Sequence, residues 1–106
     1  MPDEEEHTAE DEKEARLAYS RMLASVKDAA VSNLSLLSTQ AWHHMGLQPL
    51  PGLEGSEMDL EQAKLAIDMY ASLIGHLEGR IEPDVMKELR RNLMNLQMNF
   101  VNRSGP

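Results

Sequence analysis

Between Lys13 and Met45 the chain contains neither proline nor glycine, and its apolar residues recur at helical spacing. Leu23, Val26, Ala30, Leu34, Leu37, Ala41 and Met45 follow one another at steps of 3 or 4, near the α-helical period and far from the strand period of 2. Tyr19, Met22, Ala29 and Leu36 widen that stripe. The pattern predicts one helix over residues 13–45, ending where Gly46 can adopt a left-handed closing conformation. Residues 46–58 hold three glycines and two prolines and read as a structured loop.

The pattern then resumes. Asp59 is a good N-cap, Gln62 is spaced to close a capping box, and Leu60, Ala63, Ile67, Tyr70, Ile74 and Leu77 form the stripe of a second helix, residues 59–78. Pro83 suits the first turn of a third helix, residues 83–102, whose stripe is Met86, Leu89, Leu93, Leu96 and Phe100. Only Gly79 to Glu82 separate the two, so they are expected to run antiparallel. The predicted fold is all-α: one long helix followed by an antiparallel helical hairpin, a three-helix unit.

Those lengths do not match. A helix over residues 13–45 would be about 50 Å long against about 30 Å for each arm of the hairpin. The N-terminal part of its stripe, Leu17, Tyr19, Met22, Leu23 and Val26, would then lie bare and is expected to be a partner interface. Either the helix breaks near residues 24–28 and folds back, though no glycine or proline invites that, or a homo-oligomer, most simply a two-fold dimer, covers the stripe.

Charge adds a second feature. Residues 1–14 carry eight acids against Lys13 alone, a net of −7, whereas residues 83–106 carry two acids and four bases, a net of +2. So acidic and apolar-poor an opening predicts a disordered tail over residues 1–12, available to a basic protein partner. Residues 103–106 are expected to fray. The chain has no cysteine, which suits a reducing compartment. Its acidic start is unlike a signal peptide, and no apolar run nears the roughly 20 residues that span a bilayer. A cytoplasmic protein with no membrane contact is expected.

Little here points to catalysis. His43 and His44 are adjacent, so on a helix they project about 100° apart and are poorly placed to share a metal ion. His7 lies in the acidic tail, and His76 has no histidine or carboxylate four residues to either side. The serines of the first helix lack a glycine elbow, and Gly46, Gly52 and Gly55 are interrupted by proline with no lysine following, unlike a phosphate loop. Asp68 is spaced to pair with Lys64. No enzyme, cofactor or metal site is expected. Eight methionines suit core filling first and adaptable binding surfaces second. Lys87, Arg90 and Arg91, with Asn92, Asn95, Asn99 and Arg103 beyond them, form a basic flank that could grip RNA phosphates.

Two segments carry a family likeness. Leu34 to Leu47 reads Leu-Ser-Leu-Leu-Ser-Thr-Gln-Ala-Trp-His-His-Met-Gly-Leu, and Asp59 to Asp68 reads Asp-Leu-Glu-Gln-Ala-Lys-Leu-Ala-Ile-Asp. With Leu93 to Val101 in the closing position, residues 20–102 resemble a small bacterial family, domain of unknown function 1844. The likeness is most specific at Asp59 to Asp68, and it departs at the short turn from Gly79 to Asp84. It implies an intact helical unit and no activity, cofactor or catalytic residue. The motif positions it picks out are Gln40, Trp42, Gly46, Asp59, Gln62, Lys64 and Asp68. The expected role is that of a non-enzymatic, self-associating helical interaction module. The alternative is a ribosome- or RNA-associated accessory protein that uses the basic flank.

Overall fold

The computed structural model describes residues 2–53, 55 and 57–105, with side chains from residue 8 onward. Among these the chain is all α-helical: α1 (Pro2–Ala24), α2 (Val26–His44), α3 (Leu60–Leu77) and α4 (Pro83–Ser104). It divides into two units, Met1–Val31 and Ser32–Pro106.

In the first unit, the single helix expected over residues 13–45 is interrupted at Ser25. The ladder reaches this residue from both sides, with Ser25 N–H donating to Arg21 C=O (3.2 Å) and Ala29 N–H to Ser25 C=O (3.0 Å). What breaks the helix is a cap. Ser25 Oγ accepts from Asp28 N–H at 3.2 Å, so Ser25 opens α2 and places Asp28 in its first turn. Ser25-Val26-Lys27-Asp28 thus carries the serine half of a capping box, a stop-and-start signal that needs neither proline nor glycine, with Ser25 N–H kept by Arg21 C=O.

Helix α1 also covers residues 2–12, the stretch whose charge predicts a disordered tail; the side chains of residues 1–7 lie outside those described. Glutamate and alanine are strong helix formers, and carboxylates at a helix N-terminus complement its dipole. Every side chain from Thr8 to Ala24 is exposed.

The second unit holds most of α2 together with α3 and α4. α3 and α4 pack on each other, with Tyr70 of α3 bonded to Leu89 and Asn92 of α4. Lys64, Ile67 and Asp68 meet Gln97, Phe100 and Val101 at the far end, so the chain direction reverses between the two helices. The core is formed by Leu34, Ala41 and Met45, by Ala63, Ala66, Ile67, Tyr70, Ile74 and Leu77, and by Met86 and Leu96. All but Ala66 are positions that the 3–4 spacing marks.

Each junction is closed by local hydrogen bonds. α2 ends in a paired closure: Gly46 N–H donates to His43 C=O (2.9 Å) and Leu47 N–H to Trp42 C=O (3.0 Å). Gly46 sits at φ 78°, where a side chain is strained. Asp59 N–H returns to His44 C=O at 2.9 Å, which ties the start of α3 to the end of α2. α4 continues through Ser104, beyond the expected fraying point at residue 103, and Ser104 Oγ donates to Phe100 C=O at 2.8 Å.

Candidate functional site: two exposed helix faces

The large apolar residues of the first unit are open to solvent, while Ala30 is buried. Leu17, Tyr19 and Met22 are all exposed, Leu23 is 68% exposed and Val26 82%. Leu17, Tyr19, Met22 and Leu23 lie on α1, and Val26 is the first residue of α2. Tyr19, Met22 and Leu23 fall within about 100° of one another around α1 and form an exposed apolar side, whereas Leu17 projects about 120° or more away from them.

In the second unit the basic trio does share one place. Lys87, Arg90 and Arg91 line a groove of about 600 Å³ at the turned end of α3 and α4, with Glu78, Gly79, Ile81, Pro83, Met86 and Met94. Two of its cations are engaged: Arg90 pairs with Glu78, and Arg91 Nη1 lies 3.3 Å from Glu88 Oε1. All four of these side chains are more than half exposed, so the pairs are screened and each is worth less than about 1 kcal/mol.

The asparagines do not extend this patch as the sequence suggests. Asn92 turns inward, donating from Nδ2 to Ser38 Oγ (3.0 Å) and to Tyr70 Oη (3.1 Å), while Tyr70 Oη donates to Leu89 C=O (3.3 Å). One amide thus links α2, α3 and α4. Asn99 Nδ2 donates to Asn95 C=O in its own helix.

The motif residues separate into supports and one small cavity. Asp59 Oδ1 accepts from Gln62 N–H at 3.2 Å, the expected cap. The reciprocal half of the capping box is absent, because Asp59 N–H is already bonded to His44 C=O. The Gln62 side chain therefore joins Gln40 and His44 around a cavity of about 250 Å³, with Leu37, Leu65, Ala66 and Met69. This gives Gln40 a neighbourhood, though no bonding role. Lys64 Nζ pairs with Asp68 Oδ2 at 2.9 Å, and Trp42 supplies a carbonyl to the closure at Gly46.

The methionines divide in the same way. Met45 and Met86 are buried, as core filling requires, whereas Met58, Met69, Met94 and Met98 are exposed. His43 and His44 stack edge to face at the end of α2, with ring centroids 5.1 Å apart, and His43 Nδ1 donates to Gln48 C=O at 3.1 Å. This geometry uses one imidazole nitrogen to hold the loop. Among the described residues no group of three or more His, Asp and Glu is arranged to hold a metal ion, and no helix is long and apolar enough to cross a membrane.

The fold and these surfaces define a small all-α protein whose exposed features are helix faces and shallow grooves. Residues 31–102 match the family described as Domain of unknown function (DUF1844), and the chain belongs to that family. The match begins eleven residues beyond the start of the resemblance seen in the sequence. It coincides closely with the second unit and leaves α1 outside. No curated protein and no solved structure matches the chain.

Proposed function

We propose that this protein is a non-catalytic helical interaction module that associates with copies of itself through the apolar residues Leu17, Tyr19, Met22, Leu23 and Val26. The observation that supports this most is the exposure of all five side chains at the junction of α1 and α2. Their burial in an interface returns the hydrophobic free energy that exposure forgoes, about 25 cal/mol per Å². All five residues precede the family match, which begins at residue 31.

The test is absolute mass by light scattering on the full chain and on a Leu23→Asp, Val26→Asp variant. A dimer or larger assembly that becomes monomeric in the variant supports the reading. An assembly of unchanged mass in the variant removes α1 from the interface. The RNA reading has weaker support: Arg90 and Arg91 are paired with glutamates, Asn92 faces inward, and the N-terminal segment would repel phosphate.

A further inference from the structure

An association helix needs a receiving face, and α4 offers one whose order of charged and apolar residues matches α1. Lys87, Arg91, Met94, Met98 and Val101 follow at steps of 4, 3, 4 and 3 and so share one side of α4. All are exposed; Met94 and Met98 are each 61% exposed and Val101 64%. The N-terminal end of this face is basic and adjoins the groove at the turn, where Arg90 adds a third cation. Its C-terminal end is apolar. One side of α1 has the complementary order, with Asp11 and Glu12 preceding Tyr19, Met22 and Leu23, whereas Glu10, Glu14 and Leu17 share a different side.

We propose that α1 of one copy docks parallel to the outer face of α4 of a second copy, its carboxylates on Lys87, Arg90 and Arg91 and its apolar residues on Met94, Met98 and Val101. This rests on the reading of α1 as the association helix and adds the partner and the direction.

The spans agree: Asp11 to Leu23 covers about 18 Å of helix and Lys87 to Val101 about 21 Å. Direction follows from charge. Parallel alignment sets carboxylates over cations and apolar side chains over apolar side chains, whereas antiparallel alignment would bury carboxylates against methionine and valine without a partner. The pairs Arg90–Glu78 and Arg91–Glu88 are exposed, so exchanging them for carboxylates of a second copy costs little. Methionine, flexible and polarisable, suits a receiving surface that adapts to another helix. Each copy has one α1 and one α4 face, so two reciprocal contacts close a two-fold dimer.

The test uses full-length chains and exploits the absence of native cysteine. Under mild oxidation, a mixture of Met22→Cys and Met98→Cys chains should yield a mixed disulfide dimer in excess of either self-linked one. A second experiment exchanges charge. Chains with Lys87→Glu and Arg91→Glu, and chains with Asp11→Lys and Glu12→Lys, should each self-associate about tenfold more weakly or worse, yet pair with one another when mixed. Circular dichroism of each variant checks that the helices remain.

Self-linking of the Met22→Cys chain, with the mixed pair unlinked, would mean that α1 pairs with α1; the docking fails while self-association stands. A full chain that is monomeric at every concentration overturns both readings. Closure of a monomer carrying both Met22→Cys and Met98→Cys into an internal disulfide also overturns the docking on a second copy. So does RNA binding lost on reversal of Lys87 and Arg91 while self-association is unchanged.

Discussion

Asn92 offers the sharpest test of how the helical unit is held. Its side-chain amide donates to Ser38 Oγ on α2 and to Tyr70 Oη on α3, and the Tyr70 hydroxyl donates onward to Leu89 C=O on α4, the helix of Asn92. Tyr70 is only 1% exposed, so water does not readily replace a lost partner there. Asn92→Ala removes two hydrogen bonds worth about 1 kcal/mol each, and the space left by the amide adds to that, for an expected cost of about 2–3 kcal/mol. For a domain stable by about 5–15 kcal/mol, that is a large fraction. Tyr70→Phe should cost about 1–2 kcal/mol, since it removes the hydroxyl while keeping the ring and leaves the Asn92 amide bonded to Ser38. The two changes share one hydrogen bond, so their effects should not add, and a double-mutant cycle should show about 1 kcal/mol of coupling. Urea unfolding followed by circular dichroism measures this, at one protein concentration because self-association would shift the midpoint. An Asn92→Ala cost below about 0.5 kcal/mol, or coupling near zero, would refute the idea that this amide ties three helices together.

Three further outcomes follow from the junctions. Gly46→Ala should destabilise the fold by about 1–2 kcal/mol in urea unfolding, since φ of 78° is unfavourable for any residue with a Cβ. A Cβ there would make only ordinary contact with Met58, so the cost is conformational and not steric, and Gly46→Asn should be milder than Gly46→Ala. Asp59→Ala should lose about 1 kcal/mol through the cap on Gln62 N–H, with Asp59→Ser restoring most of it. Lys64→Ala should change stability by no more than about 0.5 kcal/mol, because its pair with Asp68 is well exposed; a larger loss would mean the pair has a role beyond the surface of α3.

The helices themselves were largely legible. α3 and α4 begin and end within two residues of the spans that spacing, Asp59, Pro83 and Gly79 predict. The interruption at Ser25 was legible too, but in a different signal. A search for glycine and proline passes over it, because a serine cap breaks a helix by offering the backbone a competing acceptor. The inward turn of Asn92 was not legible. It lies beside Leu93 on the flank of a stripe, and local pattern cannot say which flank residue meets a tyrosine from a neighbouring helix. Nor could spacing foresee that Gln62 would be released from its capping box, since the competing acceptor, His44 C=O, is 15 residues away in sequence.

By itself the sequence determined the helical class, the positions of most breaks, the buried stripe and the uneven placement of charge. All of these depend on neighbours within a turn or two, where helix periodicity and capping act. Only the tertiary structure decided which polar groups are spent on holding helices together and which remain on the surface. Asn92 joined the interior, Arg90 joined Glu78 across the turn, and Lys87, Met94 and Met98 were left on an open face. The reason is physical: such choices depend on which side chains are brought together by the packing of α2, α3 and α4, and a period along one helix carries no information about the others.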